Sequence, residues 1–114
     1  MVGHAANQRQ EVRTAMRGGN GSITLTHLLE GSDTFGKSRM MAKLVMPAGS
    51  SIGEHPHVEE AEAYIILAGE ATVTENGVVS KLGPGEVMFT GNGDSHSIEN
   101  CGSEDLVLYA IIFN

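Results

Sequence analysis

The segment GEHPHVEEAEAY, residues 53–64, carries two histidines and four glutamates in twelve positions. In an extended strand, residues i and i+2 point to the same face. His55 and His57 therefore project together, and Pro56 points away. Proline donates no ladder hydrogen bond, so Pro56 marks an edge or a strand end. If EAYIILA opens the next strand near Glu62, that carboxylate stands at the strand's mouth beside the histidines. Glu54, Glu59 and Glu60 then face water in an acidic connection, with Glu60 the one to watch as an acid or lid residue. A second group, GEVMFTGNGDSHSIEN at 85–100, puts His96 just after a Gly-rich turn. Three imidazoles and one carboxylate suit a borderline divalent transition metal.

These groups must be positioned by strands. SITLTHLL alternates after the breaker GGNG, with Ile23, Leu25, His27 and Leu29 on one face. RMMAKLVMP reads as a strand stopped by Pro47. AEAYIILAG, EATVTENG, VVSKLG, EVMFTGNG and DLVLYAIIF follow, nearly all closed by Gly or Asn-Gly. ATVTENGVVS reads as a hairpin turning at Asn76-Gly77. No long helix is expected. QRQEVRTAM reads as a turn of helix or a loose segment. Short strands with Gly-rich turns indicate an all-β sandwich or barrel.

The 114 residues fit one domain, with no composition shift after residue 21. Cys101 is the single cysteine, so no intrachain disulfide is expected and a reducing compartment is. The first 19 residues hold no apolar run, so neither a signal peptide nor a membrane span is expected, and a cytoplasmic protein is. Fourteen acidic residues face seven Lys plus Arg, for a net charge of −7. The absence of a basic stripe argues against nucleic acid. An anionic ligand would need a local positive centre.

Residues 49–69 resemble the first motif of the cupin superfamily, G-x5-H-x-H-x4-E-x6-G, with Gly49, His55, His57, Glu62 and Gly69 in every fixed place. Residues 85–100 resemble the second, G-x5-P-x-G-x2-H-x3-N, through Gly85, Gly93, His96 and Asn100. Gly91 stands where the family usually has proline, a departure expected to alter turn stiffness only. The resemblance implies a small jelly-roll barrel, a double-stranded β-helix, over residues 22–114. Residues 1–21 form an N-terminal arm, at a dimer interface in this reading. The resemblance further implies one metal (Mn, Fe, Ni, Zn, Co or Cu) on His55, His57, Glu62 and His96. Fold and metal site transfer with the family; reaction type does not.

The functional expectation is a metal-binding cupin with a small-molecule pocket, acting on a small carboxylic acid in the manner of oxalate decarboxylases. A dioxygenase or isomerase and a non-catalytic sensor are the alternatives. A homodimer is expected, because Ile65, Leu67 and DLVLYAIIF offer a second apolar face, and a small anionic ligand is expected, because a divalent ion on three neutral histidines and one glutamate keeps a net positive charge. Among the remaining residues, His27 reads as a satisfied core or interface histidine. Cys101 reads as a bystander thiol, and Asn100 as a turn residue bonding backbone. Tyr64, Met88 and Phe89 read as core or cavity wall. Arg39 and Lys43 share a parity, and parity cannot be carried across PAGSSIG to say whether they face in. Arg17 sits in a plain turn or an arm.

Overall fold

Period-2 alternation decides which side of each strand closes inward. In the computed structural model, which describes residues 1–114, ten strands form: β1 (Gln10–Thr14), β2 (Ser22–Leu29), β3 (Ser38–Met46), β4 (Ser51–Pro56), β5 (Ala61–Ala68), β6 (Ala71–Glu75), β7 (Val78–Leu82), β8 (Val87–Gly91), β9 (Ser95–Glu99) and β10 (Leu106–Phe113). One antiparallel sheet has the order β1-β2-β3-β10-β5-β8 and the other β4-β9-β6-β7. This is the double-stranded β-helix that the motifs imply.

The central strand β10 shows how the core is made. Leu106, Leu108, Ala110 and Ile112 face inward, opposite Met46, Leu44, Ala42 and Met40 of β3. On its other side Leu108, Ala110 and Ile112 pair with Ile66, Tyr64 and Glu62 of β5. The apolar row thus runs directly to Glu62. Full burial of a Leu or Ile contributes about 1.5–3 kcal/mol, and the core joins 17 buried residues. The opposite parity leaves Val107, Tyr109 and Ile111 half-buried beside Val45, Met41 and Ile65.

The hairpin between β6 and β7 turns at Asn76 (φ 48°) and Gly77 (φ 82°), as the Asn-Gly pair requires. Asn100 is buried and donates to the carbonyls of Met46 and Glu104, both at 2.8 Å, while its side-chain oxygen accepts from the Gly102 amide. It bonds backbone, as expected.

Two sequence readings are corrected. QRQEVRTAM is mainly strand: residues 10–14 are β1, in register with Thr26 to Ser22, and only its last residue, Met16, enters a short 3-10 turn, Met16–Gly18. The open edge of β2 supplies a hydrogen-bonding partner, and that tertiary pairing outweighs a weak local preference. Phe89 is not core; it lines only an open surface groove with Val78, Val87 and Met88. Met88 and Thr90 take the inward parity of β8, so Phe89 points out and is 62% exposed.

Gly91 does more than loosen a turn. It pairs with Ala61 across β5 and β8, and a Cβ added at 91 would lie 2.8 Å from the Ala61 Cβ. Gly91→Ala should cost about 1–3 kcal/mol through overpacking. Adding Ala61→Gly should return part of that loss, because the two sites share the contact. Urea midpoints of the two single variants and the double variant measure this; purely additive losses would refute the clash.

Candidate functional site

His55, His57, Glu62 and His96 are brought together from three strands and one strand end. A bulge in β4 does the aiming. Ile52 pairs with Ile98 and His55 with His96, so three steps along β4 match two along β9. The extra residue reverses the parity of the strand. Ile52, His55 and His57 therefore all turn inward, although 52 and 55 differ by an odd number. His57 lies just past β4 and is tied to the turn before β9: its amide donates to the Asp94 carbonyl at 3.0 Å, and the Gly93 amide donates to the His57 carbonyl at 2.9 Å. Those bonds hold His57 and His96 in register.

All four side chains are buried, and their ligand atoms lie within 4.8 Å of one another. His96 Nε2 is 3.0 Å from His57 Nε2 and 3.1 Å from His55 Nε2. Glu62 Oε1 is 3.0 Å from both His57 Nε2 and His96 Nε2. The outer ring nitrogens decide the tautomers. His55 Nδ1 faces the Gly53 carbonyl at 2.7 Å, and His57 Nδ1 faces the Glu60 carboxylate at 3.0 Å. Both partners only accept, so both Nδ1 atoms carry hydrogen. In the neutral rings the Nε2 lone pairs then point at one another and at a carboxylate. A cation in their midst satisfies that arrangement; the donor set fits a divalent transition metal.

The surroundings hold the rings. Tyr64 stacks on His96 with centroids 4.9 Å apart and planes at 11°. Its own hydroxyl is pushed well above its ordinary pKa by burial, with the Glu62 carboxylate adding to the effect. Glu60 is a correction: it turns inward to His57, while Glu54 and Glu59 face water as expected. Arg39 draws it there through a two-pronged pair, Nε and Nη2 to the two carboxylate oxygens at 2.9 and 2.8 Å. A carboxylate behind a ligand histidine fixes its orientation and raises its basicity. Lys43 pairs with Tyr109 on the outer face, so the two cations of β3 part company.

A chamber of about 170 Å³ opens over the cluster. His55, His57 and Glu62 line it, and so do Arg9, Arg13, Arg17 and Arg39, which are all of the chain's arginines. His27 also lines it, satisfied by Glu11 at 2.8 Å as a core histidine should be. Sequence reading missed Arg9 and Arg13. The available signal was their even spacing: Arg13 lies on β1 and Arg9 immediately precedes it, so an extended chain through both puts them on one face.

Residues 42–112 match the cupin domain family, Cupin_2. The chain is a cupin. It is 41% identical over 112 residues to an oxalate-binding protein of Thermotoga maritima, covering 98% of this chain and 93% of that one. The crystal structure of a predicted oxalate decarboxylase from Thermotoga maritima superposes with a TM-score of 0.94 at 41% identity, over 99% of this chain and 98% of that chain. The cupin domain of Schizosaccharomyces pombe Cnp3 shares the fold, with a TM-score of 0.73 at 20% identity over 91% of this chain and 68% of that one.

The carboxylates of this cupin are held ionised. Burial pushes Glu62 upward, but in the metal-free site the protonated imidazoles of His55 and His96, which then donate to it, and the charges of His96 and His57 outweigh it, and its pKa falls to about 2. Glu60 is lowered chiefly by Arg39, Glu30 by Arg9, and Glu11 by His27 and then Arg13. A depressed carboxylate adds stability above its unfolded pKa and loses it as pH falls through the folded value. For Glu62 that window runs from 4.5 down to about 2. Metal-free protein should therefore show a urea midpoint that drops steadily between about pH 4.5 and pH 2.5. A Glu62→Gln variant should show a shallower drop; an equally steep one would remove Glu62 from the account.

Proposed function

We propose that this protein is a metal-dependent cupin that takes a small carboxylic acid into its chamber. His55, His57, Glu62 and His96 hold one divalent transition ion from the group Mn, Fe, Ni, Zn, Co and Cu. The observation that carries the reading is the convergence of three Nε2 atoms and one carboxylate oxygen in a buried cluster. When bound, the ion supplies a Lewis acid for a carboxylate oxygen. The likeness to a protein named for binding oxalate supports an acid of that class. The chamber's own residues support it too: every arginine of the chain lines it, and Arg17 among them has no carboxylate within 4.0 Å to cancel its charge, in a chain of net charge −7.

The working reading is an oxalate-decarboxylase-like enzyme, with binding alone as the second. One observation favours the second: the wall carboxylates are already engaged, Glu30 by Arg9 and Glu62 by the imidazoles, as is Glu60 behind them by Arg39. No uncommitted carboxyl acid is left there to deliver a proton. Release of CO2 from oxalate by metal-loaded protein separates the two. For the site itself, elemental analysis should give about one ion per chain, as a single four-ligand cluster requires, and Glu62→Gln should lose it. In a thermal-shift panel, oxalate and similar acids should stabilise metal-loaded protein far more than metal-free protein, and neutral sugars neither. Equal shifts for acids and sugars, or shifts indifferent to metal, would reject the acid reading.

The homodimer belongs to the same proposal, as does the division into an arm (1–21) and a barrel (22–114). The outer face of the large sheet carries half-buried Val45, Ile65, Val107 and Ile111 beside exposed Val87 and Phe89. A second copy covering that face would bury it. Light scattering should report about twice the 12.0 kDa chain mass. A stable monomer at micromolar concentration would refute the dimer.

A further inference from the structure

Three of the four chamber arginines are already engaged. Arg9 pairs with Glu30 at 3.0 Å, Arg13 with Glu11 at 2.7 Å and Arg39 with Glu60 at 2.8 Å. Arg17 has no carboxylate within 4.0 Å, yet it lines the same chamber. The four arginines balance Glu11, Glu30, Glu60 and Glu62 to zero formal charge. A divalent ion on the cluster would leave the chamber at +2, and the uncommitted protein charge sits on Arg17.

The backbone fixes where that charge stands. Ala15, Arg17 and Gly18 all have positive φ, at 54°, 52° and 78°. A non-glycine residue held in this region is kept there by its surroundings. Here the surroundings are β4. The Arg17 carbonyl packs on Gly53 so closely that a Cβ at 53 would come within 2.0 Å of it, and a Cβ at Gly19 would lie 2.2 Å from the Ser51 carbonyl. Gly53 also accepts the hydrogen bond of His55 Nδ1 at 2.7 Å. Arg17 and His55 are thus anchored to one bulge residue. The charge of Arg17 is felt at the buried Tyr64 hydroxyl on the chamber wall.

We propose that Arg17 is a specificity-determining residue that selects small dicarboxylates over monocarboxylates by gripping the end of the acid that faces away from the His-Glu cluster. This rests on the acid-binding reading above. A guanidinium presents paired donors that match a carboxylate, and a neutral or single-ended ligand leaves them unused.

Isothermal titration of metal-loaded full-length protein with oxalate, malonate and acetate tests it, with metal content measured for every variant. Arg17→Gln should weaken oxalate and malonate at least ten-fold and acetate less than two-fold, with metal content unchanged. Arg17→Gly should do the same; glycine adopts φ near 52° without strain, so the arm stays seated. Arg17→Lys should recover part of the loss. Equal weakening of all three acids, or oxalate binding unchanged in both variants, overturns the role of Arg17 and leaves the acid-binding reading standing. Wild-type protein that binds none of the acids overturns both.

Discussion

Three imidazole nitrogens and a carboxylate oxygen converge in the interior, with most of their separations near 3 Å. Without a cation between them, these groups present electron-rich atoms to one another in a region shielded from water. Such an arrangement is unfavourable in itself and must be imposed by everything around it. The two Nδ1 hydrogens are committed outward, to a backbone carbonyl and to a carboxylate. His96 Nδ1 has no partner at all, the one buried side-chain polar atom left so. Its ring is held instead by stacking on Tyr64.

The means of imposition are mostly backbone. β5 delivers Glu62 at the end of an apolar row, where Ile112 is its ladder neighbour on one side and Thr90 on the other. β9 delivers His96 directly opposite His55. The bulge at Ile52–His55 turns His55 on β4 and His57 just past it inward, and its glycine lets the backbone of Arg17 and Gly19 press against the strand. A side chain at 53 would displace the Arg17 carbonyl and the bulge together. Fold stability and ligand geometry therefore meet at a residue with no chemistry of its own.

Much of this was legible in the residues. His55 and His57 share a parity, and the motif spacing named Glu62 and His96 before any coordinate did. The Asn76-Gly77 hairpin followed from local chemistry, because two adjacent residues needing positive φ leave few alternatives. What stayed hidden was set by partners distant in sequence. β1 exists because β2 has an open edge, and no local pattern in QRQEVRTAM records that. Glu60 turned inward because Arg39, 21 residues earlier, meets it at the rim. Phe89 is outside the core because parity puts it on the outer face of β8, opposite to Met88 and Thr90.

The charge distribution carries the last step. A chain of net charge −7 presents a field that repels anions at long range. That field is screened within about 8 Å at physiological salt. Inside the chamber the acidic excess is absent, because every arginine of the chain lines it and the four match Glu11, Glu30, Glu60 and Glu62. Exposed ion pairs such as Arg9–Glu30 and Arg13–Glu11 add little to stability. Their placement makes better sense as electrostatic preparation than as fastening. Each carboxylate holds a guanidinium in a set orientation while cancelling its charge, so the chamber stays near neutral and folds without strong repulsion. The positive potential is then concentrated at two places: the four-ligand cluster, where a divalent cation would outweigh the single charge of Glu62, and Arg17, which no carboxylate neutralises. An anion entering the chamber would therefore meet one positive centre behind it and another at the wall, which is a more selective arrangement than a uniformly basic surface.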